Sequence, residues 1–302
     1  MSTSTMAQPM RRFLRLVRPL TALASVLLAL AAAVSGQAVK TPKRIVSLSP
    51  SCTETLFALG VGDRVVGVTN YCTFPAEAKT RKQVGGFLNP DVEAIVSLAP
   101  DLIITVPNAK LVQKLEELRM RVVVVPNESL ADVFTALAKV GEVTGTEATA
   151  ARLTAEIRGQ LEALRKRAAN LPKPRVLFAV NHDPLMIAGG GTFLNELIGL
   201  AGGVNIAALS PITYPQFGME EIIARAPEVI VDATMVVGAD AERLAWVKDH
   251  WQRWPSIPAV KNGRVHALST EALDVLVRPG PRIALALEAL LRLIHPEAVA
   301  AS

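Results

Sequence analysis

Two stretches of this chain, 127 residues apart, carry one pattern. Residues 90–104 read PDVEAIVSLAPDLII and residues 217–231 read FGMEEIIARAPEVIV. The five shared positions are Glu93 with Glu220, Ile95 with Ile222, Ala99 with Ala226, Pro100 with Pro227, and Ile103 with Ile230. Each stretch reads as a short helix, a turn of proline followed by an acid, and an apolar strand. Proline stops the helix, and the Ile- and Val-rich run behind it suits a buried strand. A chain that repeats such a unit at one fixed offset is built from two related halves.

Around this echo, short apolar runs alternate with helical spacing. Runs at 45–48, 65–68, 102–105 and 122–125 predict strands in the first half, and those at 175–180, 229–231 and 264–268 predict strands in the second. Helical patterns fall at 193–200, 219–225 and 283–294. Alternation of this kind predicts βα units around mostly parallel sheets buried on both faces. Between the halves, Leu153, Ile157, Leu161, Leu164 and Ala168 form one apolar stripe on an otherwise charged segment. Thr144 and Glu147 fit a capping box at its start, with Thr146 as the alternative cap, and the Pro172/Pro174 stretch ends it. About 24 helical residues would span roughly 36 Å, enough to run beside both halves. The division expected is a leader over 1–38, a first lobe over 39–143, a connecting helix over 144–171 and a second lobe over 172–302.

The leader is read from Arg11, Arg12, Arg15 and Arg18, the apolar run at 20–34, and the small residues Gly36 and Ala38. A basic start, an apolar core and a small-residue exit form an export signal, and the apolar run is too short to span a bilayer as a helix. The four arginines are the only charges in the leader. They leave 28 of the 32 basic residues against all 27 acidic ones. A near-neutral remainder has no electrostatic footprint for nucleic acid. In an oxidising compartment Cys52 and Cys72, the two cysteines, can form a disulfide or stay as neighbouring free thiols, and the sequence leaves both open.

Catalytic signatures are missing. There is no G-x-S-x-G, no phosphate-binding P-loop, no H-E-x-x-H and no C-x-x-C. Gly189, Gly190 and Gly191 read as a turn into the helix at Phe193. His182, His250, His266 and His295 are scattered without ligand spacing, so no metal site is expected. Trp246, Trp251 and Trp254 read as a core cluster under a loop before Pro255. A binding protein, not an enzyme, is the expectation.

The stretch IVSLSPSCTE at 45–54, with Leu59 and Gly60, carries a family resemblance. Residues 84–87 (VGGF), 258–265 (PAVKNGRV) and 278–282 (RPGPR) add to it. The mature chain resembles the solute-binding proteins of ABC importers, most closely their cobalamin-binding branch. That resemblance implies an α/β fold of two Rossmann-like lobes with mostly parallel sheets, joined by one long α-helix. It further implies a corrinoid held in the inter-lobe cleft as transported cargo, with no cofactor, and periplasmic delivery to a permease dimer in the inner membrane.

By local match, Tyr71, Phe87 and Tyr214 take the places of aromatic cleft walls, and Asp274 and Arg278 those of a polar pair facing the ligand. Val106 and Pro107 stand where that branch often carries another tryptophan, which thins the stacking surface. Glu93 and Glu220 match the carboxylates that dock on permease arginines. The rival cargo is haem or a ferric siderophore, with Tyr71, Tyr214 or His182 meeting the iron and Arg278 an anionic chelate. A rival from another class is a secreted enzyme or a ligand-sensing domain.

Overall fold

The computed structural model describes residues 41–234 and 240–297. The leader expected over 1–38 lies outside the described residues. Five parallel strands make the first sheet: β1 (Ile45–Ser47), β2 (Val65–Val68), β3 (Lys82–Gln83), β4 (Leu102–Thr105) and β5 (Val122–Val124), in the order β3-β2-β1-β4-β5. The central strands β1 and β4 are buried along their whole length, as continuous apolar runs require when both faces are covered. The second sheet holds β6 (Arg175–His182), β7 (Leu185–Ile187), β8 (Val204–Asn205), β9 (Val229–Asp232) and β10 (Val265–Ala267). There β10, β9 and β6 run parallel, β7 folds back antiparallel on β6, and β8 pairs with the start of β6.

Helices link and cover these strands. The first lobe carries α1 (Pro50–Ala58), α2 (Val92–Ser97), α3 (Ala109–Glu117) and α4 (Leu130–Thr144). The long connection is α5 (Glu147–Ala168), followed by α6 (Phe193–Leu200), α7 (Met219–Arg225), α8 (Asp240–Gln252), α9 (Pro258–Lys261), α10 (Thr270–Leu276) and α11 (Ile283–Ile294). The capping box expected from Thr144 to Glu147 does not form. Thr144 closes α4, its hydroxyl donating to the Val140 carbonyl at 2.6 Å, and Gly145 takes the left-handed conformation that ends a helix. Thr146 is the residue before α5, without a side-chain cap. The apolar stripe is as expected: Ile157, Leu161 and Ala168 are buried, with Leu153 and Leu164 packed beside them.

The seam between the lobes is packed. Helix α5 lies against α4 and α11, and one apolar cluster runs from Ile45 and Ile104 through Leu137 and Leu161 to Phe178 and Leu290. Separate clusters, around Ile103 and Leu115 and around Ile230 and Trp251, fill the other face of each sheet. On the α5 side the lobes therefore share a core.

The echo is structural. Helix α2 with β4 and helix α7 with β9 repeat the same turn, and Ala99 (φ 43°) and Ala226 (φ 48°) both take the left-handed conformation that alanine rarely adopts. The expected tryptophan cluster holds in part: Trp251 belongs to the second lobe's core with Trp254 packed against it before Pro255, but Trp246 and Trp251 lie on helix α8, not under a loop. Trp251 is fully buried, whereas Trp246 is 37% exposed. The triple glycine does turn into α6, and it must be glycine. A Cβ on Gly189 would stand 2.3 Å from the Ile212 carbonyl oxygen, and one on Gly190 2.4 Å from that of Ala208.

Candidate functional site

A cavity of about 570 Å³ opens at the carboxyl ends of the first sheet's strands. Ser49, Pro50 and Ser51 follow β1 into it, Tyr71 follows β2, Phe87 follows β3 and Asn127 follows β5. Parallel strands end together on one edge, so the turns leaving them converge there, and this is where α/β folds hold ligands. The opposite wall comes from the second lobe, where α10 and the turn after it supply Leu273, Asp274, Val277 and Arg278. Four of the five expected ligand residues are thus brought together. Tyr71 is 50% exposed, whereas Phe87 also packs on the core, making its ring both wall and filling. Tyr214 is not among the cavity's lining residues. It is half-buried, and burial, then the Glu128 carboxylate of the first lobe, push its phenol upward. Val106 is buried in the core.

Beside the cavity the first lobe buries a group of hydroxyls and thiols. The Thr53 hydroxyl lies 2.7 Å from Ser47 Oγ and 3.0 Å from Cys72 Sγ, and Thr69 Oγ1 lies 3.2 Å from the same sulfur. Of the two states open to Cys52 and Cys72, the structure holds free thiols, both buried, and no bridge. Burial, then the neighbouring Cys72, push Cys52 up to about 12. Burial also raises Cys72 against the opposing Thr53 and Thr69 bonds, so neither sulfur is a ready thiolate.

The polar pair is more than a pair. Arg278 is bonded to Asp274, but its guanidinium also reaches the first lobe at Glu54 Oε1 (3.3 Å), Thr73 Oγ1 (3.1 Å) and the Tyr71 carbonyl (3.0 Å). Arg282 grips the same Glu54 with two N–H groups, at 2.8 and 2.6 Å. The Thr73 hydroxyl is bonded to Asp274 across the same boundary at 2.5 Å. Sequence reasoning passed over Glu54, Thr73 and Arg282. Glu54 stands in the resemblance motif itself, but its partners lie 224 and 228 residues on, where no local pattern reaches.

The second lobe's sheet edge carries different chemistry. His182 Nε2 lies 2.6 Å from Asp232 Oδ2, Trp251 Nε1 donates to the same oxygen at 2.7 Å, and the Thr234 amide donates to Oδ1 at 3.0 Å. Burial alone would raise Asp232, but the bonds from His182, Trp251 and Thr234 outweigh it and hold the carboxyl below its usual range. The His250 ring centroid is 4.2 Å from that of His182, and burial, then His182 and Arg253, push His250 down to about 4. Two of the four scattered histidines are therefore neighbours. Among the described residues no group of three or more His, Cys, Asp or Glu side chains is placed to hold a metal ion.

Glu93 and Glu220 occupy the first turns of α2 and α7, exposed and without an ion-pair partner among the described residues.

Two α/β lobes sharing a core on one side and open at their strand ends on the other define a two-lobed substrate-binding protein. Residues 45–272 match the periplasmic binding protein family, and the chain belongs to it. It is 32% identical over 268 residues to the ABC transporter substrate-binding lipoprotein YvrC of Bacillus subtilis (strain 168), covering 85% of this chain and 82% of that one. Among solved structures it resembles the periplasmic vitamin B12-binding protein BtuF of Vibrio cholerae (27% identity, TM-score 0.71, 84% of this chain and 97% of that one). It is equally similar to the periplasmic heme-binding protein RhuT from Roseiflexus sp. RS-1 (28% identity, TM-score 0.73, 85% and 99%).

Proposed function

We propose that the chain is the exported substrate-binding component of an ABC importer, and that its cleft takes a corrinoid and passes it on unchanged. One observation carries the reading: Tyr71 and Phe87 of the first lobe share a cavity with Asp274 and Arg278 of the second. A corrin has a broad apolar face and a rim of amides, which asks for flat side chains beside hydrogen-bonding groups. Likeness to a vitamin B12-binding protein supports the same cargo. On this reading residues 1–38 are the export leader, the lobes span 39–143 and 172–302, and the 144–171 segment joins them in the periplasm.

Glu93 and Glu220 would then dock on the permease. They stand at equivalent places on two lobes, exposed, and suit a two-fold partner bearing arginines. Close interfacial charge pairs couple by roughly 1.5–7 kcal/mol, enough for two to orient a complex. Replacing both by alanine should abolish uptake and leave ligand affinity unchanged; intact uptake would end this assignment.

Haem is the second reading, favoured by the half-exposed Tyr71 phenol in the cavity, an oxygen ligand suited to ferric iron. His182 is poorly placed for that role, since its Nε2 is engaged by buried Asp232. Absorbance titrations of the purified protein with cyanocobalamin, cobinamide, haemin and a ferric siderophore separate the readings. Saturable corrinoid binding, weakened about tenfold or more in Tyr71→Ala, is the expected result, the loss matching a large aromatic contact. Binding of haemin alone would replace the corrinoid with haem.

A further inference from the structure

Glu54 sits on α1 at 3% exposure, and a carboxylate buried that deeply stays charged only against a partner. Its main partner is Arg282, whose two-pronged contact is the strong geometry for a guanidinium and a carboxylate. Arg282 is itself fixed. It lies over the Phe74 ring at 4.0 Å and donates to the Asp274 carbonyl at 2.9 Å. Arg278 reaches Glu54 more loosely, at 3.3 Å. The two arginines also face different spaces. Arg278 lines the ligand cavity, while Arg282 and Glu54 line a separate recess of about 640 Å³ beside Phe57 and Phe74.

The consequence is an asymmetric exchange. If Arg278 turns an N–H toward a ligand, Glu54 loses its weakest contact and remains paired with Arg282. No buried charge is left alone, so the turn is cheap. If Glu54 is neutralised, Arg282 loses its carboxylate and keeps its bond to the Asp274 carbonyl. Arg278 then loses the carboxylate that draws it toward the first lobe and is left with Asp274 of its own lobe. We propose that Glu54 and Arg282 are positioning residues for ligand recognition, holding Arg278 across the lobe boundary where a carbonyl or carboxylate oxygen of the ligand can claim it. This rests on the cleft being the ligand site.

A double-mutant cycle on the full mature protein tests it, using Glu54→Gln, Arg278→Gln and the pair, titrated with cyanocobalamin and with haemin. Each single variant should weaken the probe that binds by about tenfold, the size of one charge-assisted hydrogen bond, and the pair should be no weaker than the worse single. In ligand-free Glu54→Gln, hydrogen exchange should quicken at residues 71–75 and 270–282, a change that needs no ligand to see. Should Glu54→Gln fail to fold, Arg282→Lys takes its place in the cycle, keeping the charge while losing the two-pronged grip. Additive losses, or wild-type affinity in Glu54→Gln, would overturn the positioning role and leave the cleft reading standing. A wild type that takes neither probe would sink the cleft reading and this proposal with it.

Discussion

Thr105 and Asp232 occupy one position in the two lobes, 127 residues apart, each the last residue of its strand and each nearly sealed from solvent, at 2% and 1% exposure. Ending or following β1 and β2, the first lobe also buries hydroxyls and thiols: Ser47, Cys52, Thr53, Thr69 and Cys72. At Asp232 the second lobe places a carboxylate, which must collect donors from elsewhere, His182 from β6 and Trp251 from α8. A neutral buried hydroxyl needs one local acceptor, and Thr105 lies 3.2 Å from the Val106 carbonyl oxygen. A buried charge needs a shell. At this strand position the same backbone therefore carries a locally satisfied hydroxyl in the first lobe and, in the second, a carboxylate that depends on long-range side chains.

The largest effect should come from removing the charged member. Asp232→Ala leaves the His182 and Trp251 donors buried without their acceptor, and breaking such a group costs about 3–5 kcal/mol. Thr105→Val removes one hydroxyl and should cost about 1–2 kcal/mol. Urea unfolding of the two variants measures the contrast, and equal costs would break it.

What the sequence disclosed follows the same divide between local and distant. The βα alternation, the echo and the stripe on α5 are local patterns, and they are where the residues placed them. The two- and three-residue strands β3, β7 and β8 are too short to show a period. Helix α8 was hidden because Trp246 and Trp251 stand five residues apart, off the helical repeat, one 37% exposed and one sealed, so its aromatics do not mark one buried stripe. Tyr71, Phe87, Asp274 and Arg278 were legible through motif resemblance. The Glu54 strap and the Asp232 shell were not, because both join residues far apart in the chain that carry no shared spacing.

A moderate effect should separate the edges by pH. His250 sits at about 4 in the fold against an ordinary 6.5, so its stabilising share is full above 6.5 and fades as pH falls toward 4. Asp232, held below the usual carboxylate range, adds a loss as pH drops through its folded value. Cys52 has the opposite sign: raised from 9.0 to about 12, it contributes fully below 9.0 and loses its share as pH climbs through that interval. The acid flank of stability should therefore belong to the second lobe and the alkaline flank to the first. Melting curves at about pH 5, 7 and 10.5 should show His250→Gln flattening only the acid side and Cys52→Ala only the alkaline side. A variant that flattens the other flank would reverse the assignment.

The smallest effect tests what the lobes have in common. Ala99 and Ala226 hold matching left-handed conformations, at φ 43° and 48°, each followed by proline and an acid but preceded by Leu98 in one lobe and Arg225 in the other. Glycine adopts that conformation freely, whereas alanine pays roughly 1–2 kcal/mol for it, part of which is returned because glycine loses more freedom on folding. Ala99→Gly and Ala226→Gly should each stabilise the protein by less than about 1 kcal/mol, and by similar amounts. Similar gains would mean that the two turns are equivalent as backbone although the strands they lead into end in threonine and aspartate. A gain in one lobe and a loss in the other would mean that the buried chemistry reaches back into the turn, and that the lobes differ in more than the groups at their edges.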